Sequence, residues 1–317
     1  MPIYTISNNK LTAVSEKKID LEKDIQRITE ENLETLFGLV FVSGASNQEF
    51  SVRAQEQDFY IDTLAFDKST NSFVLVEYKK DKSFSVIDQG FAYLSAMLNH
   101  KADFILELNE RLHKNYKKTD IDWEQSRIIF ISPEFTNYQK NAINFKDLPI
   151  FLYEVRLYSN NIIEFDSIKP YRTTESIESL SKDKTIKAVS KEVKVYTLEE
   201  LVKPGWDSTK TLLLEFEKQL LAGNSETKVK YNKNYIAYVG KKGKEWVNYV
   251  EIVPQQQGLK IYYRFPYKHV KSEIQIEDCS KKGHWTNGES YIYLTESDQI
   301  PESVRLSQES LKFLQNS

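Results

Sequence analysis

Apolar residues recur every three to four positions through KKIDLEKDIQRITEENLETLF, residues 17–37, at Leu21, Ile25, Ile28, Leu33, Leu36 and Phe37. That spacing predicts a helix, and the first glycine after it is Gly38. A short strand is expected at 39–42. Residues 43–58 read as polar and turn-like, then mixed. At Phe59 the pattern changes. FYIDTLAFD, 59–67, is rich in aromatic and β-branched residues and predicts a strand. SFVLVEY, 72–78, predicts a second, and the polar 68–71 between them suggests a hairpin. Ser83 or Ser85 can cap a helix running to Leu98, with Asp88 suiting its dipole. Further helices are expected at 102–113 and 138–145. Strands are expected at RIIFIS, 127–132, ended by Pro133, and at 150–158. Strands alternating with helices predict a mixed α/β domain over residues 1–170.

Residues 171–194 are dominated by Ser, Thr, Lys and Glu, with few large apolar side chains. They read as a polar linker. Beyond it, helices at 207–221 and 303–314 enclose strands at 235–239, 247–253, 259–265 and 291–294. Residues 195–317 are therefore expected to form a smaller α+β domain.

Composition narrows the chemistry. Forty per cent of the 317 residues are hydrophobic, which supplies real cores and excludes a wholly disordered chain. The single cysteine, Cys279, rules out an internal disulfide and a cysteine-rich zinc site. Cys279 and His284 lack the orienting acid of a cysteine hydrolase. No apolar run is long enough for a membrane span and the first residues lack an apolar signal core, so a cytoplasmic protein is expected. Residues 1–170 carry 20 Lys and Arg against 26 Asp and Glu. Charge alone thus gives no support for a nucleic-acid partner. A local groove or a bound metal can still be positive on an acidic body.

The chemistry-bearing group lies in the two strands at 59–78. Side chains alternate along a strand, so Glu77 and Lys79 share one face and Tyr78 shares the other with Val74 and Val76. An acid after FVLV is costly in a buried strand unless it is paired or binds a cation. Asp62 and Glu77 on neighbouring strands can share one divalent metal such as Mg²⁺, with Mn²⁺ an alternative. Lys79 can orient the attacking water or steady charge on phosphorus. The bland reading is a solvated Glu77–Lys79 pair on an edge strand, with Asp62 a surface charge.

Asp62, fourteen residues and then Glu77-Tyr78-Lys79 resembles the PD-(D/E)xK nuclease superfamily. Ile61 stands where that superfamily has a proline. The resemblance covers roughly residues 18–158. It implies a restriction-endonuclease-like domain with a mixed sheet flanked by helices. It also implies a helix after the ExK strand bearing a Gln and a Tyr, which Gln89 and Tyr93 match. An acid from the first helix is often added. Glu31 and Glu34 are candidates, Glu22 is weaker, and Glu49 can fill that role instead. Lys80 and Lys82 are placed to touch phosphates or simply to solubilise the surface. The longer string from Glu49 to Lys80 is similar to a less characterised prokaryotic group of nuclease-like proteins, related to endonucleases acting on branched or mismatched DNA.

CSKKGHWTNGE, 279–289, resembles the GHW signature of an uncharacterised domain found behind nuclease-like domains and sometimes labelled a predicted transport protein. His284 and Trp285 can form a substrate-binding surface with Lys281 and Lys282 nearby, or can be a turn cap and a core plug. The aromatics Tyr235, Tyr238, Trp246, Tyr249, Tyr262, Tyr263, Phe265 and Tyr267 can supply a core, a stacking platform or both.

The expectation is a metal-dependent endonuclease hydrolysing phosphodiester bonds in nucleic acid, DNA rather than RNA. A homodimer would suit cutting of both strands. The alternative is a catalytically inactive nuclease-like module that binds nucleic acid or protein. A third reading is a scaffold without a nucleic-acid role.

Overall fold

The structure, a computed structural model, describes residues 3–17, 22–54, 57–80, 85–170, 175–243, 245–281 and 286–317. The chain divides into two compact units, Met1–Val195 and Tyr196–Ser317.

The first unit opens with a hairpin of β1 (Ile3–Ser7) and β2 (Lys10–Val14), then β3 (Glu16–Lys17), none of which the apolar pattern announces. The helix expected over 17–37 is two helices, α1 (Glu22–Glu31) and α2 (Leu33–Phe37). They part at Asn32, whose side-chain amide donates back to the Ile28 carbonyl at 2.8 Å. Gly38, at φ +69°, closes α2 in the left-handed conformation that glycine adopts without steric cost.

β4 (Val40–Gly44) follows, then a second hairpin of β5 (Phe50–Ala54) and β6 (Gln57–Ile61). The single strand expected at 59–67 is divided at Asp62, and β7 (Thr63–Asp67) belongs to a different sheet. β7 and β8 (Ser72–Tyr78) form the hairpin that the sequence suggests. The Ser85 hydroxyl caps α3 (Val86–Asn99) by accepting from the Asp88 amide at 3.2 Å. α4 (Lys101–Leu112), β9 (Arg127–Ser132), α5 (Asn137–Ala142) and β10 (Ile150–Tyr158) fall close to the expected ranges, and β11 (Ile162–Ile168) is additional.

Among the described residues the main sheet has seven strands in the order β11-β10-β9-β8-β7-β4, with β3 on β10. β4, β7 and β8 are antiparallel neighbours; β8, β9 and β10 are parallel. This is a mixed sheet flanked by helices. One face packs Val74, Val76 and Tyr78 against Ile25 and Leu33 of α1 and α2. The other packs Phe73 and Leu75 against Phe91 and Leu94 of α3 and Phe104 of α4.

The expected polar linker is a correction. Residues 177–192 hold α6 (Ile177–Leu180) and α7 (Lys184–Glu192), and Ile177, Ile186, Val189 and Val193 are buried in the first unit's core. Asp147 accepts from the Ile177 amide at 2.8 Å, and Asp183 caps α7. A few apolar residues at helical spacing suffice, because the polar majority faces solvent.

The second unit comprises α8 (Leu198–Leu201), α9 (Asp207–Gly223), β12 (Lys228–Tyr231), β13 (Ile236–Lys242), β14 (Glu245–Gln255), β15 (Gly258–Tyr263), β16 (Glu277–Asp278), β17 (Ser290–Leu294) and α10 (Ile300–Asn316). The described strands make one antiparallel sheet in the order β12-β13-β14-β15-β17-β16. Tyr238 donates to Glu217 of α9 at 3.1 Å and Tyr263 to the Ser303 carbonyl of α10 at 3.3 Å, so both helices cover one face. Tyr238, Tyr249, Tyr263 and Phe265 are core residues of that layer. Tyr262 has the opposite parity and pairs with the Tyr291 ring at 5.4 Å. Trp246 is partly buried beneath the Lys228 ammonium, 3.9 Å from its ring centre, while Tyr267 is exposed.

Candidate functional site

The bend at Asp62 has a chemical cause. Its carboxylate Oδ2 accepts the amide hydrogen of Tyr78 at 3.0 Å, and its own carbonyl accepts from Gln26 Nε2 at 2.7 Å. Its amide nitrogen lies 3.4 Å from Glu77 Oε1. A residue held on three sides in this way leaves the β6 direction, and the chain enters β7 beside β8. Asp62 and Glu77 therefore meet at the start of one strand and the end of its neighbour.

Glu77 is 0% exposed on β8, between β7 and β9. It is not one of a solvated pair on an edge strand. Lys79 Nζ lies 3.3 Å from Glu77 Oε2, and the Lys79 amide donates to the Ile131 carbonyl at 2.9 Å, anchoring the residue to β9. Burial, then the negative charge of Asp62, pushes the Glu77 carboxyl up to about 8, with Lys79 opposing. Asp62 is raised as well, mainly by burial, against the Tyr78 hydrogen bond and the Lys79 charge. Two carboxyls that resist ionising side by side are a pair that a cation or a shared proton would stabilise.

α3 lies over this face. The Tyr93 phenol is raised by burial, by the charges of Glu77 and Asp62 and by a hydrogen bond towards Glu77, and its ring packs edge-on against Phe59 at 5.9 Å. Gln89 lies one helical turn before it. Its Oε1 is inaccessible to solvent and has no hydrogen-bond partner among the described residues. Such an orphaned acceptor is costly unless a donor arrives.

Glu49 is exposed at the end of the turn after β4, and its charge is felt at Asp62. Glu31 is exposed on α1, and Glu22 and Glu34 are partly exposed. Among the described residues no three His, Cys, Asp or Glu side chains gather as a metal site, so none of these acids joins Asp62 and Glu77 in such a group. The acid that α1 turns inward is Glu30, 5% exposed, which sequence reasoning missed together with Gln26. Their spacing of four on one helical face was the available signal. Lys80 is exposed just beyond β8. Lys82, Lys282, His284 and Trp285 lie outside the described residues. In the second unit, the fully buried Glu251 accepts from the Asn287 amide at 2.6 Å and from Asn287 Nδ2 and Asn248 Nδ2, each at 3.0 Å. It thereby fixes the chain just after the GHW string.

The pair fits a small divalent cation in donor chemistry. It offers two carboxylates with raised affinity for positive charge, and Mg²⁺ commonly takes only one or two protein carboxylates beside water and phosphate. No protein-family model matches the chain. No solved structure matches it. It is 37% identical over 314 residues to an uncharacterised protein of Haemophilus influenzae, an alignment covering 98% of this chain and 100% of that protein. The chain belongs to the family of that Haemophilus protein.

Proposed function

We propose that the first unit is a metal-dependent phosphodiesterase of restriction-endonuclease-like fold that cleaves nucleic acid, with DNA the substrate class implied by its motif. The observation that carries this reading is the meeting of Asp62 with a fully buried Glu77 beside Lys79. The order of elements supports it: a helix, three antiparallel strands, a helix over the acidic face, then a strand parallel to the ExK strand. Asp62 and Glu77 would hold Mg²⁺, or Mn²⁺ in its place. When bound, such a cation would supply polarisation of a phosphoryl oxygen and a lowered pKa for its water.

The protein's own groups supply the rest. The Lys79 ammonium, 3.3 Å from Glu77, is placed to donate to the attacking water or to a phosphoryl oxygen as negative charge builds there. Gln89 Oε1, buried and without a donor among the described residues, is an unsatisfied acceptor on α3. The Tyr93 phenol remains protonated, and therefore a donor, at any physiological pH. Water would form the new oxygen–phosphorus bond and release a proton to solvent, while the ester oxygen would leave with the electron pair of the broken bond and take up a proton from solvent.

The same Lys79–Glu77 contact favours a second reading, a pair satisfied internally in a binding module that does not cut. Cleavage of labelled DNA and RNA panels with Mg²⁺, Mn²⁺ or EDTA separates the two. Metal-dependent cutting abolished by Glu77→Ala and by Lys79→Ala is the expected result. No cutting of any substrate would favour the binding module. Cutting that survives both substitutions would overturn the site.

A further inference from the structure

Glu30 accepts five hydrogen bonds, yet it pairs with no cation among the described residues. Its Oε1 accepts from Gln26 Nε2 at 3.0 Å, from the Ala45 amide at 3.0 Å and from Thr63 Oγ1 at 2.7 Å. Its Oε2 accepts from the Ser46 amide at 2.9 Å and from the Ser46 hydroxyl. A buried carboxylate supplied with five uncharged donors is fixed in place, because each donor offsets part of the cost of its desolvation.

The donors lead to the site from two directions. Gln26 Nε2 carries two hydrogens. One goes to Glu30, and the other goes to the Asp62 carbonyl at 2.7 Å. Thr63, next in the chain after Asp62, also meets the Tyr78 hydroxyl at 3.2 Å, and Tyr78 stands between Glu77 and Lys79. On the other side, Ala45 and Ser46 begin the turn that ends at Glu49. That turn is tightened by Asn47, whose side chain accepts from the Gly44 amide and donates to the Val42 carbonyl. A β-carbon at Gly44 would collide with Glu30 Oε1, so a glycine there lets the carboxylate approach the turn.

We propose that Glu30 is a positioning residue: through Gln26 and Thr63 it sets the backbone at Asp62, and through Ala45 and Ser46 it holds the adjoining turn against that backbone, so that Asp62 stands at the right separation from Glu77 for a divalent cation. This role rests on the reading of Asp62 and Glu77 as the cation pair. It differs from a ligand role, because both Glu30 oxygens are already occupied by protein donors. It predicts a loss of metal affinity from a substitution that never touches the metal.

The test is Mn²⁺ titration by calorimetry, with thermal unfolding measured alongside, on the full-length protein and four variants. Glu30→Gln keeps the shape but cannot accept on both arms. Thr63→Val removes one hydroxyl from the same network and serves if Glu30→Gln does not fold. Asp67→Asn loosens a buried ion pair with Arg127, 2.8 Å apart, at the far end of β7, and controls for general destabilisation. Glu77→Ala removes the pair itself. The expected result is an affinity weakened about 10- to 100-fold by Glu30→Gln, the range typical of outer-shell partners. Thr63→Val should weaken it in the same direction, Asp67→Asn should leave it unchanged, and Glu77→Ala should abolish binding. Glu30→Gln and Thr63→Val variants that bind Mn²⁺ like the parent protein, while Glu77→Ala does not, would overturn the positioning role alone. Equal Mn²⁺ binding by the parent protein and Glu77→Ala, or none by either, would overturn the cation pair and the positioning role with it.

Discussion

The Asp62 carboxylate accepts the amide hydrogen of Tyr78 at 3.0 Å, so the acid at the start of β7 is tied to the peptide bond that follows Glu77. The two motif acids are thus coupled through main chain as well as through charge. Turning the Asp62 side chain away from Glu77 would break this hydrogen bond, which favours their spacing in the absence of substrate. Preorganisation of this kind is what an electrostatic catalyst requires.

The raised Glu77 carboxyl makes stability depend on pH. Its ordinary value is 4.5 and burial beside Asp62 pushes it up to about 8. The native state therefore holds a proton that the unfolded chain releases, and stability falls as pH rises between these two values. Thermal unfolding in EDTA from pH 5 to pH 9 should show this decline. Mg²⁺ should oppose it most at the alkaline end, where it no longer competes with the proton. Glu77→Gln should flatten the profile and remove the Mg²⁺ effect. A profile identical for the parent protein and Glu77→Gln would refute the assignment.

Lys79 and Glu77 should separate in function. Lys79→Met removes a donor to the reaction but neither carboxylate. Turnover is expected to fall about 10²–10³-fold, while Mn²⁺ still binds. Glu77→Ala should lose both. Single-turnover cleavage beside calorimetric titration reads the two properties independently.

The α6–α7 segment should behave as part of the first unit's core. Val189 is 1% exposed there. Val189→Asp puts an unpaired charge into that core and should cost about 3 kcal/mol or more. Urea unfolding measures it. A loss near zero would show that the segment is dispensable, as a linker would be.

Glu251 should matter to the second unit in the same manner. Glu251→Ala strands the Asn287 and Asn248 donors, a loss of about 1–3 kcal/mol. Proteolysis is expected to cut sooner between residues 279 and 289 in this variant. Unchanged digestion would remove Glu251 from that role.

Much of the first unit was legible because its helices and strands obey strong periodicities. The β7–β8 hairpin, α3 with its Ser85 cap, β9 and β10 all follow from apolar spacing and capping residues. What escaped depends on partners far away in sequence. Asp62 interrupts a continuous β-forming string because Gln26 and Tyr78 claim its backbone carbonyl and its carboxylate. Neighbouring residues give no sign of that. β1, β2 and β12 carry mixed polar patterns, since little of them is deeply buried. Within the candidate site, the acid and lysine pattern picked out Asp62, Glu77 and Lys79. The inward acid of α1 was displaced by one position, from Glu31 to Glu30. A helical wheel resolves a face, but only the actual turn of the helix decides which of two adjacent glutamates points inward.

The route by which the main sheet closes has a consequence for the order of folding. Asp62 and Glu77 come together in one hairpin, whose short turn closes at little entropic cost. The Lys79 amide must wait for Ile131, and the parallel β8–β9 pairing closes a loop of some fifty intervening residues. A chain emerging from the ribosome can therefore bring its two repelling acids together before β9 has been synthesised. At that stage solvent still screens them. The burial that makes their proximity costly, and a cation welcome, arrives only when the later strands dock.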